Sequence, residues 1–535
     1  MRAVFFIGSF LLLSAIAGVS FFWSPILVLL VFLLPIIGLG LKDAYQTKRA
    51  ILRNFPVVGH MRFLLEAIRP EIQQYFIESD VGGAPVPRET RSVVYQRAKQ
   101  QTDTLPFGTQ RNVYEDGYEW LSHSLSPKHI NTQDLRVLVG GPQCKKPYSA
   151  SVFNISAMSY GALSSHAIQA LNGGAKLGGF YHNTGEGGVS PHHLSGGGDL
   201  VWQIGTGYFG CRTDDGNFSA DLFQATATHE NIKMIEIKLS QGAKPAHGGI
   251  LPAAKITPEI ADIRKVKPGA DVISPPAHRA FSTPMELLHF VQTLRELSAG
   301  KPIGFKMCVG RPHEFVAICK AMVESQIYPD FITIDGGEGG TGAAPLEFSN
   351  SVGAPLEEGL TFVHDVLIGF DLRKHIRLIA SGKIMTAFNI FSRMALGADI
   401  CNSARGMMLS LGCIQARQCN TNHCPTGVAT SNKNLVVGLV PSDKKVRVYN
   451  YHRHTLYAFA ELLGAAGLES TKKISRHHVN RRGSDASVKS YADLFPYTDR
   501  GSFLAPAHQP TYAKYIEMAS PYDFAPAHIQ MRKAS

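Results

Sequence analysis

Three cysteines lie close together in the last quarter of the chain, within a stretch rich in glycine, asparagine and proline. Five residues separate Cys413 from Cys419, four separate Cys419 from Cys424, and a proline follows directly. Thiolates are soft ligands that select iron–sulfur clusters or zinc, and a proline after the last cysteine is typical of ferredoxin-type cluster loops. A zinc knuckle normally has paired C-x-x-C spacing and four ligands, which this stretch lacks. The three cysteines therefore predict a [3Fe-4S] cluster.

Two alternatives to a three-iron cluster stay open at this stretch. The three thiols can be ordinary buried cysteines near the end of a helix. A [4Fe-4S] cluster would need a fourth ligand, for which Cys401 or a non-cysteine group is the candidate.

Glycine-rich turns follow three apolar runs and are candidates for holding a phosphate group. Residues 335–345 read DGGEGGTGAAP, 381–383 read SGK, and 403–406 read SARG at the start of a helical stretch. Bare glycine lets backbone N–H groups approach an anion, while a helix N-terminus and an arginine add positive potential. Each turn alone is more often a tight connection, but three together favour the phosphate of a cofactor. The candidate contacts are Gly337, Gly340, Thr341, Gly382, Lys383, Arg405 and Gly406.

A basic loop over 238–252 carries Lys238, Gln241 and Lys244 at intervals of three residues. Two lysines can bind carboxylates and the glutamine amide can donate to a carbonyl oxygen, so this set suits a small anionic ligand. The alternative is a solvated basic loop. Glu186 lies on a second loop, between glycines, and is a candidate for proton transfer.

Eight short β-rich runs must position these loops, and helical stretches separate most of the runs. The runs occupy residues 152–158, 178–183, 233–239, 270–275, 302–309, 331–336, 376–382 and 398–404. Alternation of this kind predicts an α/β fold, a (β/α)8 TIM barrel, whose active site lies at the carboxyl ends of the strands. The glycine-rich region 185–231, between the second and third runs, is expected to serve the site or to pack as a subdomain.

Composition limits the functional classes. The chain has 535 residues, of which 18% are charged and 44% hydrophobic, as in a folded enzyme. Its net charge is +11, but no basic stripe interleaved with aromatic residues argues for nucleic acid. The eight cysteines, three of them at cluster spacing, indicate a reducing compartment.

The motifs together resemble the FMN-binding synthase domain of glutamate synthases, from about residue 157 to about 430. They are SAMSYGALS (156–164), NTGEGG (183–188), KLSQGAKPAHGGILP (238–252), ISPPAH (273–278), DGGEGGTGAAP (335–345) and the cysteine loop ending in CPTGV. The resemblance implies FMN, with Ser159, Tyr160 and Gly161 beside the isoalloxazine and Lys306 near its reactive end. It also assigns Lys238, Gln241, Lys244 and Arg264 to 2-oxoglutarate, and to Glu186 a role in coupling ammonia arrival to flavin chemistry.

The implied reaction is reductive amination of 2-oxoglutarate to L-glutamate through a 2-imino acid, with electrons passing through the cluster to FMN. Glutamate synthases begin with a glutaminase domain whose nucleophile is an N-terminal cysteine, whereas no cysteine precedes Cys144 here. No G-x-G-x-x-G motif opens a helix after a strand. We therefore expect ammonia from solution or a glutaminase subunit, and electrons from an external donor such as ferredoxin or a reductase subunit. The alternatives are an N-methylglutamate synthase-like amine-transfer subunit and a membrane-tethered electron-transfer subunit.

The N-terminal segment predicts a membrane anchor. Residues 3–23 and 25–41 are apolar runs, and about 20 apolar residues span a bilayer. The basic residues that follow indicate the inner (cytoplasmic) membrane, with the catalytic domain in the cytoplasm, by the positive-inside rule; they are Lys42, Lys48, Arg49 and Arg53. A signal peptide is the alternative, but the apolar run is long for one and no cleavage site stands out.

Five parts are expected along the chain. Residues 1–41 form the transmembrane helical hairpin and 42–150 a lead-in subdomain. The FMN-binding (β/α)8 domain covers 151–412, the iron–sulfur loop 413–436, and a helical and irregular extension 437–535.

Overall fold

The computed structural model describes residues 1–504 and 512–527, and the chain divides into two compact units, Met1–Arg88 and Glu89–Ser535. The first unit begins with two apolar helices, Arg2–Ser20 and Leu29–Tyr45, joined through a 3-10 turn at Ser24–Val28. Both are long and apolar enough to cross a membrane, and only 6% of each apolar window is buried inside the protein.

Three shorter helical segments complete this unit. They are Ala50–Asn54, Gly59–Ile72 and a π turn at Gln73–Ile77. The last two follow one another without a break and cover residues 59–77. The second unit starts with the helix Arg88–Lys99 at the boundary, and its remaining elements surround one barrel.

The second unit is built on a closed barrel of eight parallel strands that pair in chain order. We label them β1 (Phe153–Ile155), β2 (His182–Asn183), β3 (Leu200–Ile204), β4 (Ile232–Lys238), β5 (Ile303–Met307), β6 (Phe331–Asp335), β7 (Arg377–Ser381) and β8 (Ile400–Ser403). Every residue of β3, β5 and β6 is buried, because helices cover one face of the sheet and side chains fill the other. The predicted (β/α)8 barrel is confirmed.

Helices surround this barrel. Between β1 and β8 they are Ser165–Gly178, Pro191–Leu194, Ala220–Ala227, Pro258–Arg264, Pro284–Leu297, Pro312–Ser325, Leu346–Ser351, Leu356–Gly369 and Ala387–Ala395. After β8 come Arg405–Ser410, Lys433–Val436, Pro441–Ala465, Tyr491–Leu494 and Ala513–Met518. The 25-residue helix Pro441–Ala465 packs along Ser165–Gly178, where a Cβ on Gly174 would lie 2.6 Å from Val448. A glycine is therefore required for this close approach.

One strand of the sequence-based prediction was wrong. Residues 270–275 were expected to be the fourth barrel strand, but Val272–Ile273 pairs antiparallel with Ile250–Leu251 outside the barrel. The true third strand is β3, which lies within the region 185–231 that was expected to be a connection. Strand propensity does not specify the partner strand, and Ile273 remains 66% exposed on its small sheet.

The remaining strands form a hairpin at the floor of the barrel and a three-stranded sheet on its flank. Arg136–Val139 pairs with Tyr148–Ser151, and Val139 and Ala150 from this hairpin join one buried cluster with strand residues of the barrel. Its other members are Tyr181, Val201, Met234, Phe331, Ile379 and Ile400. A second sheet combines Glu119–Leu121, Val479–Arg482 and Val488–Ser490. With the floor closed by apolar side chains, the polar residues at the opposite ends of the strands form the site.

Candidate functional site

A buried ion pair joins the carboxyl ends of β5 and β6. Lys306 Nζ lies 3.2 Å from Asp335 Oδ2. The same carboxylate accepts hydrogen bonds from Ser381 Oγ at the end of β7 (2.8 Å) and from the backbone N–H of Gly242 (2.8 Å). Burial alone would lower the pKa of Lys306, but the negative charges of Asp335, Glu236 and Glu186 outweigh burial and raise it. Lys306 is therefore a fixed cation at the barrel mouth.

Glu236, in the middle of β4, was not among the predicted site residues. Its Oε2 accepts hydrogen bonds from Asn183 Nδ2 (2.8 Å) and Gln203 Nε2 (2.6 Å), and its Oε1 accepts one from Thr333 Oγ1 (2.6 Å). The carboxylate thereby links side chains from β2, β3, β4 and β6 inside the barrel. The available sequence signal was a single acid within the apolar run KMIEIKL, a position that requires hydrogen-bond partners once it is buried.

Glu186 and Lys238 form the second ion pair of the site. Lys238 Nζ lies 3.0 Å from Glu186 Oε2 and donates a hydrogen bond to Gln241 Oε1 at 2.6 Å. Burial would raise the pKa of Glu186, but the charges of Lys238, Arg264 and Lys244 outweigh burial and lower it. A Cβ on Gly249 would lie 2.3 Å from Glu186 Oε1, so the loop can pass this carboxylate only with glycine there.

The two other predicted substrate cations are buried as well. Lys244 Nζ donates to the carbonyl of Ala343 at 3.0 Å, and burial lowers the pKa of Lys244 to about 8. Arg264 Nη2 donates to the carbonyl of Tyr160 at 3.1 Å, and its guanidinium lies 5.0 Å from the centre of the Phe209 ring. Burial lowers the pKa of Arg264 to about 10. Its Nε atom is buried without a hydrogen-bond partner among the described residues.

These residues form one electrostatic group. Glu186 interacts with Lys238, Lys244 and Arg264, so three cations are close to one carboxylate. The net charge of these four side chains is +2, which matches a ligand with two carboxylates. The structure therefore brings Lys238, Gln241, Lys244, Arg264 and Glu186 to one place.

The turn after β1 lies against the glycine loop that carries Glu186. A Cβ on Gly185 would lie 2.6 Å from the backbone nitrogen of Ser159, and one on Gly187 would lie 2.8 Å from Ser159 Cβ. Tyr160 Oη donates to Glu259 at 2.6 Å, and Gly161 has a φ of 96°. Ser159, Tyr160 and Gly161 thus occupy the same end of the barrel as the ion pairs.

The three predicted phosphate turns also meet. Arg405 Nη2 donates to the carbonyl of Glu338 at 3.1 Å, and a Cβ on Gly340 would lie 2.4 Å from this guanidinium nitrogen. Burial lowers the pKa of Lys383, on the turn after β7, and the positive charge of nearby Arg405 lowers it further. These side chains place two cations beside glycine backbone. Gly337, Thr341 and Gly382 lie on the same turns.

Gly406 lies at a close contact between two helices. A Cβ at this position would lie 2.4 Å from Tyr451 Oη and 2.6 Å from Ser403 Oγ. The glycine is therefore needed where the helix Arg405–Ser410 packs against the helix Pro441–Ala465.

The cysteine loop presents three free thiols. Cys413 and Cys419 are partly exposed and Cys424 is buried. Burial raises the pKa of Cys413 to about 11. At Cys424 burial acts in the same direction, but hydrogen bonds from the backbone of Ala429, from Thr426 and from the backbone of Val428 outweigh burial and lower the thiol pKa.

The three thiols of the cysteine loop are not arranged around a single point. Across the described residues, no group of three or more His, Cys, Asp and Glu side chains is placed to hold one metal ion. In an iron–sulfur cluster each thiolate would bind a different iron of the same core. Hydrogen bonds to the Cys424 sulfur are the contacts that tune cluster potentials. Cys401, the candidate fourth ligand, lies buried in β8 with Arg393 as the charged neighbour of its thiol.

Lys255 was missed by the sequence reasoning. It is buried, and its Nζ donates to the carbonyls of Ala162 (2.9 Å) and Cys419 (3.1 Å). Burial lowers the pKa of Lys255 to about 8. The side chain thus connects the turn after β1 with the cysteine loop, and a lysine in a loop gives no sequence signal of such a contact.

Comparison with known proteins identifies the family of this chain. Residues 121–469 match the model of a conserved region in glutamate synthase. The glutamate synthase large subunit-like protein YerD of Bacillus subtilis is 38% identical over 518 residues, covering 88% of this chain and 98% of YerD. The archaeal glutamate synthase [NADPH] of Methanocaldococcus jannaschii is 33% identical, over 70% of this chain and 69% of its own. An archaeal-type glutamate synthase [NADPH] of Thermotoga maritima is 31% identical over 61% of this chain and 62% of that one. The chain therefore belongs to the glutamate synthase family and is an oxidoreductase.

Proposed function

We propose that this protein aminates 2-oxoglutarate to L-glutamate through a 2-imino acid. The observation that supports this most strongly is the group of Lys238, Lys244 and Arg264 around Glu186. An enzyme that only passed electrons would not need a buried set of side chains with a charge of +2. Burying such cations is costly unless an anionic partner is bound there at some stage.

The substrate side chains have separate tasks. Two of the three cations bind the terminal carboxylates of 2-oxoglutarate. Gln241 accepts from Lys238 through Oε1, which leaves its amide N–H groups to donate to the ketone oxygen. With the ketone polarised and both carboxylates held, the α-carbon is fixed for attack by ammonia and then for reduction.

Glu186 handles protons beside this substrate. Its lowered pKa keeps it ionised at neutral pH, so its carboxylate attracts ammonium to the site and accepts a proton as the nitrogen bonds to the ketone carbon. Ammonia and the 2-oxo acid give the imine and water. The imine then takes a hydride at the α-carbon and a proton at nitrogen to give the amino acid. Glu186 is placed to return a proton in that step.

The residues at the barrel mouth fit FMN. Arg405 and Lys383 would hold its phosphate, and Ser159, Tyr160 and Gly161 would lie beside its ring system. Bound FMN supplies the hydride for the imine. Lys306, held as a cation by Asp335, would place positive charge beside the ring and so favour its anionic reduced form.

A [3Fe-4S] cluster on Cys413, Cys419 and Cys424 would pass single electrons towards the flavin site. Support comes from the spacing of the cysteines, the hydrogen-bonded Cys424 sulfur and the Lys255 contact between the two loops. An external electron donor, such as ferredoxin or a reductase subunit, is part of this proposal. Ammonia comes from solution or from a glutaminase subunit.

The proposed location is the inner (cytoplasmic) membrane, with the catalytic domain in the cytoplasm. The two apolar helices and the basic residues that follow them support it. An impermeant thiol reagent applied to intact cells should leave Cys144 unlabelled. Labelling of Cys144 would show that the catalytic domain lies on the outer side of the membrane.

One experiment tests the proposed reaction. The protein is photoreduced without oxygen, and flavin absorbance is followed after addition of 2-oxoglutarate, ammonium or both. Reoxidation that requires both compounds and yields glutamate is the expected result. Faster reoxidation with methylamine than with ammonium would favour the N-methylglutamate synthase-like alternative. No reoxidation with any amine would favour the electron-transfer subunit.

A further inference from the structure

The helix Gly59–Ile72 in the first unit exposes a continuous apolar stripe. Met61, Leu64, Leu65 and Ile68 follow the i, i+3, i+4, i+7 pattern of one helix face, and they are 40–62% exposed. The π turn Gln73–Ile77 continues it with Phe76, which is 84% exposed. An apolar face of this length is normally covered in an ordinary soluble domain.

The other side of this helix has its partners within the unit. Phe63 lies under the guanidinium of Arg49, 4.6 Å from its ring centre. Arg62 pairs with Glu66 one turn along, at 2.9 Å, away from the stripe. The stripe is therefore not the side by which the helix packs on its own unit.

The helix begins where the apolar hairpin ends. Asp43, buried near the end of the second long helix, accepts a hydrogen bond from the backbone of Val57 (3.0 Å) and lies 2.9 Å from His60 Nε2. Residues 55–58 and the two long helices line an apolar cavity of about 300 Å³. The stripe thus starts beside the polar end of the hairpin.

We propose that Gly59–Ile72 and the following turn lie in the interface of the bilayer that holds the hairpin, with the apolar stripe among the acyl chains. This inference rests on the proposed membrane location but not on the proposed reaction. The fixed start at Asp43 holds the helix at the level where the hairpin leaves the bilayer. Residues 42–72 carry six basic and three acidic side chains, a net charge of +3 that suits anionic head groups.

Tryptophan scanning with brominated lipid tests the depth of the stripe. Full-length protein carrying Leu64→Trp or Glu66→Trp is reconstituted into vesicles of phosphatidylglycerol and phosphatidylcholine, with or without bromine on the acyl chains. Both positions are exposed and lie on opposite sides of one helix, so the second variant is the matched control. Emission of the three native tryptophans is measured in the unsubstituted protein and subtracted.

The added emission of Leu64→Trp should be shifted to the blue and quenched severalfold more by brominated lipid than that of Glu66→Trp. Equal quenching at the two positions would overturn the proposal. So would shielding of Leu64→Trp from both brominated lipid and aqueous acrylamide, because a protein partner would then cover the stripe. Alkaline carbonate extraction of the unsubstituted protein reports hairpin insertion separately. Glutamate formation is measured on the same samples. A failure of the proposed reaction can then be told apart from a failure of the membrane proposal.

Discussion

Lys238 and Glu186 form an ion pair of 3.0 Å at the barrel mouth, and Gln241 accepts a second hydrogen bond from the same ammonium group. The pair joins the end of β4 to the loop after β2. Lys244 and Arg264 also interact electrostatically with Glu186, so three cations lie near one carboxylate. The proposed dianionic substrate would complete the charge balance of this site, and the first prediction follows from it.

Lys244→Ala should weaken 2-oxoglutarate binding about ten- to a hundredfold, because one charge-assisted contact contributes about 1.5–3 kcal/mol. Flavin and iron content should stay at the level of the parent protein. Titration calorimetry measures the affinity. Lys265→Ala, at an exposed lysine paired with Asp262, is the control and should bind normally. Parental affinity in Lys244→Ala would remove this residue from the substrate site.

The same lysine predicts a pH dependence. Burial lowers the pKa of Lys244 to about 8, so the cation is present below that pH and is lost as the pH rises through it. Affinity for 2-oxoglutarate should therefore fall above about pH 8, while both substrate carboxylates stay ionised. Lys244→Arg should move this loss to higher pH, as binding curves between pH 6.5 and about 9.5 can establish. Identical pH profiles in the two proteins would contradict the assignment.

Arg405→Ala should release FMN, because it removes a cation from the proposed phosphate site and leaves the carbonyl of Glu338 without its donor. Flavin per chain, measured after desalting, gives the outcome. Arg377→Ala is the matched control, since Arg377 donates to the carbonyl of Leu138 at the opposite end of the barrel. Full flavin retention in Arg405→Ala would place the phosphate elsewhere.

About three irons per chain are expected, and Cys419→Ser should lose them while keeping the flavin. Lys255→Met should also lower iron content, because two part-buried carbonyls, of Ala162 and Cys419, would lose their donor. Metal analysis and low-temperature electron spin resonance measure both. Zinc in place of iron would refute the cluster, and a stoichiometric [4Fe-4S] signal would require a fourth ligand.

Glu236→Gln should destabilise the barrel by about 1–3 kcal/mol. The three donors that now meet two carboxylate oxygens would face one oxygen and one amide group, so at least one donor would lose its acceptor. Denaturant unfolding of the detergent-solubilised protein measures the change. Glu230→Gln, at an exposed acid before β4, should leave stability within about 0.5 kcal/mol.

The sequence alone determined the barrel and the end of the barrel at which the candidate site residues lie. Alternating strand and helix patterns fixed the fold class, and residues at strand ends of a (β/α)8 barrel must meet at one mouth. That rule is sufficient to bring Lys238, Lys306, Lys383 and Arg405 to the same end of the molecule. The hairpin helices were predictable for an equally local reason, namely an uninterrupted apolar composition.

Tertiary structure alone decided which strand pairs with which and which buried polar groups meet. Residues 270–275 look like a barrel strand, yet Val272–Ile273 pairs with Ile250–Leu251, because pairing depends on distant partners rather than on local propensity. Glu236 and Lys255 acquire their roles from donors and acceptors far away in the chain. Gly406 is explained by Tyr451 on a later helix. Contacts of this kind bring together residues from distant parts of the chain, and spacing along a sequence carries no record of them.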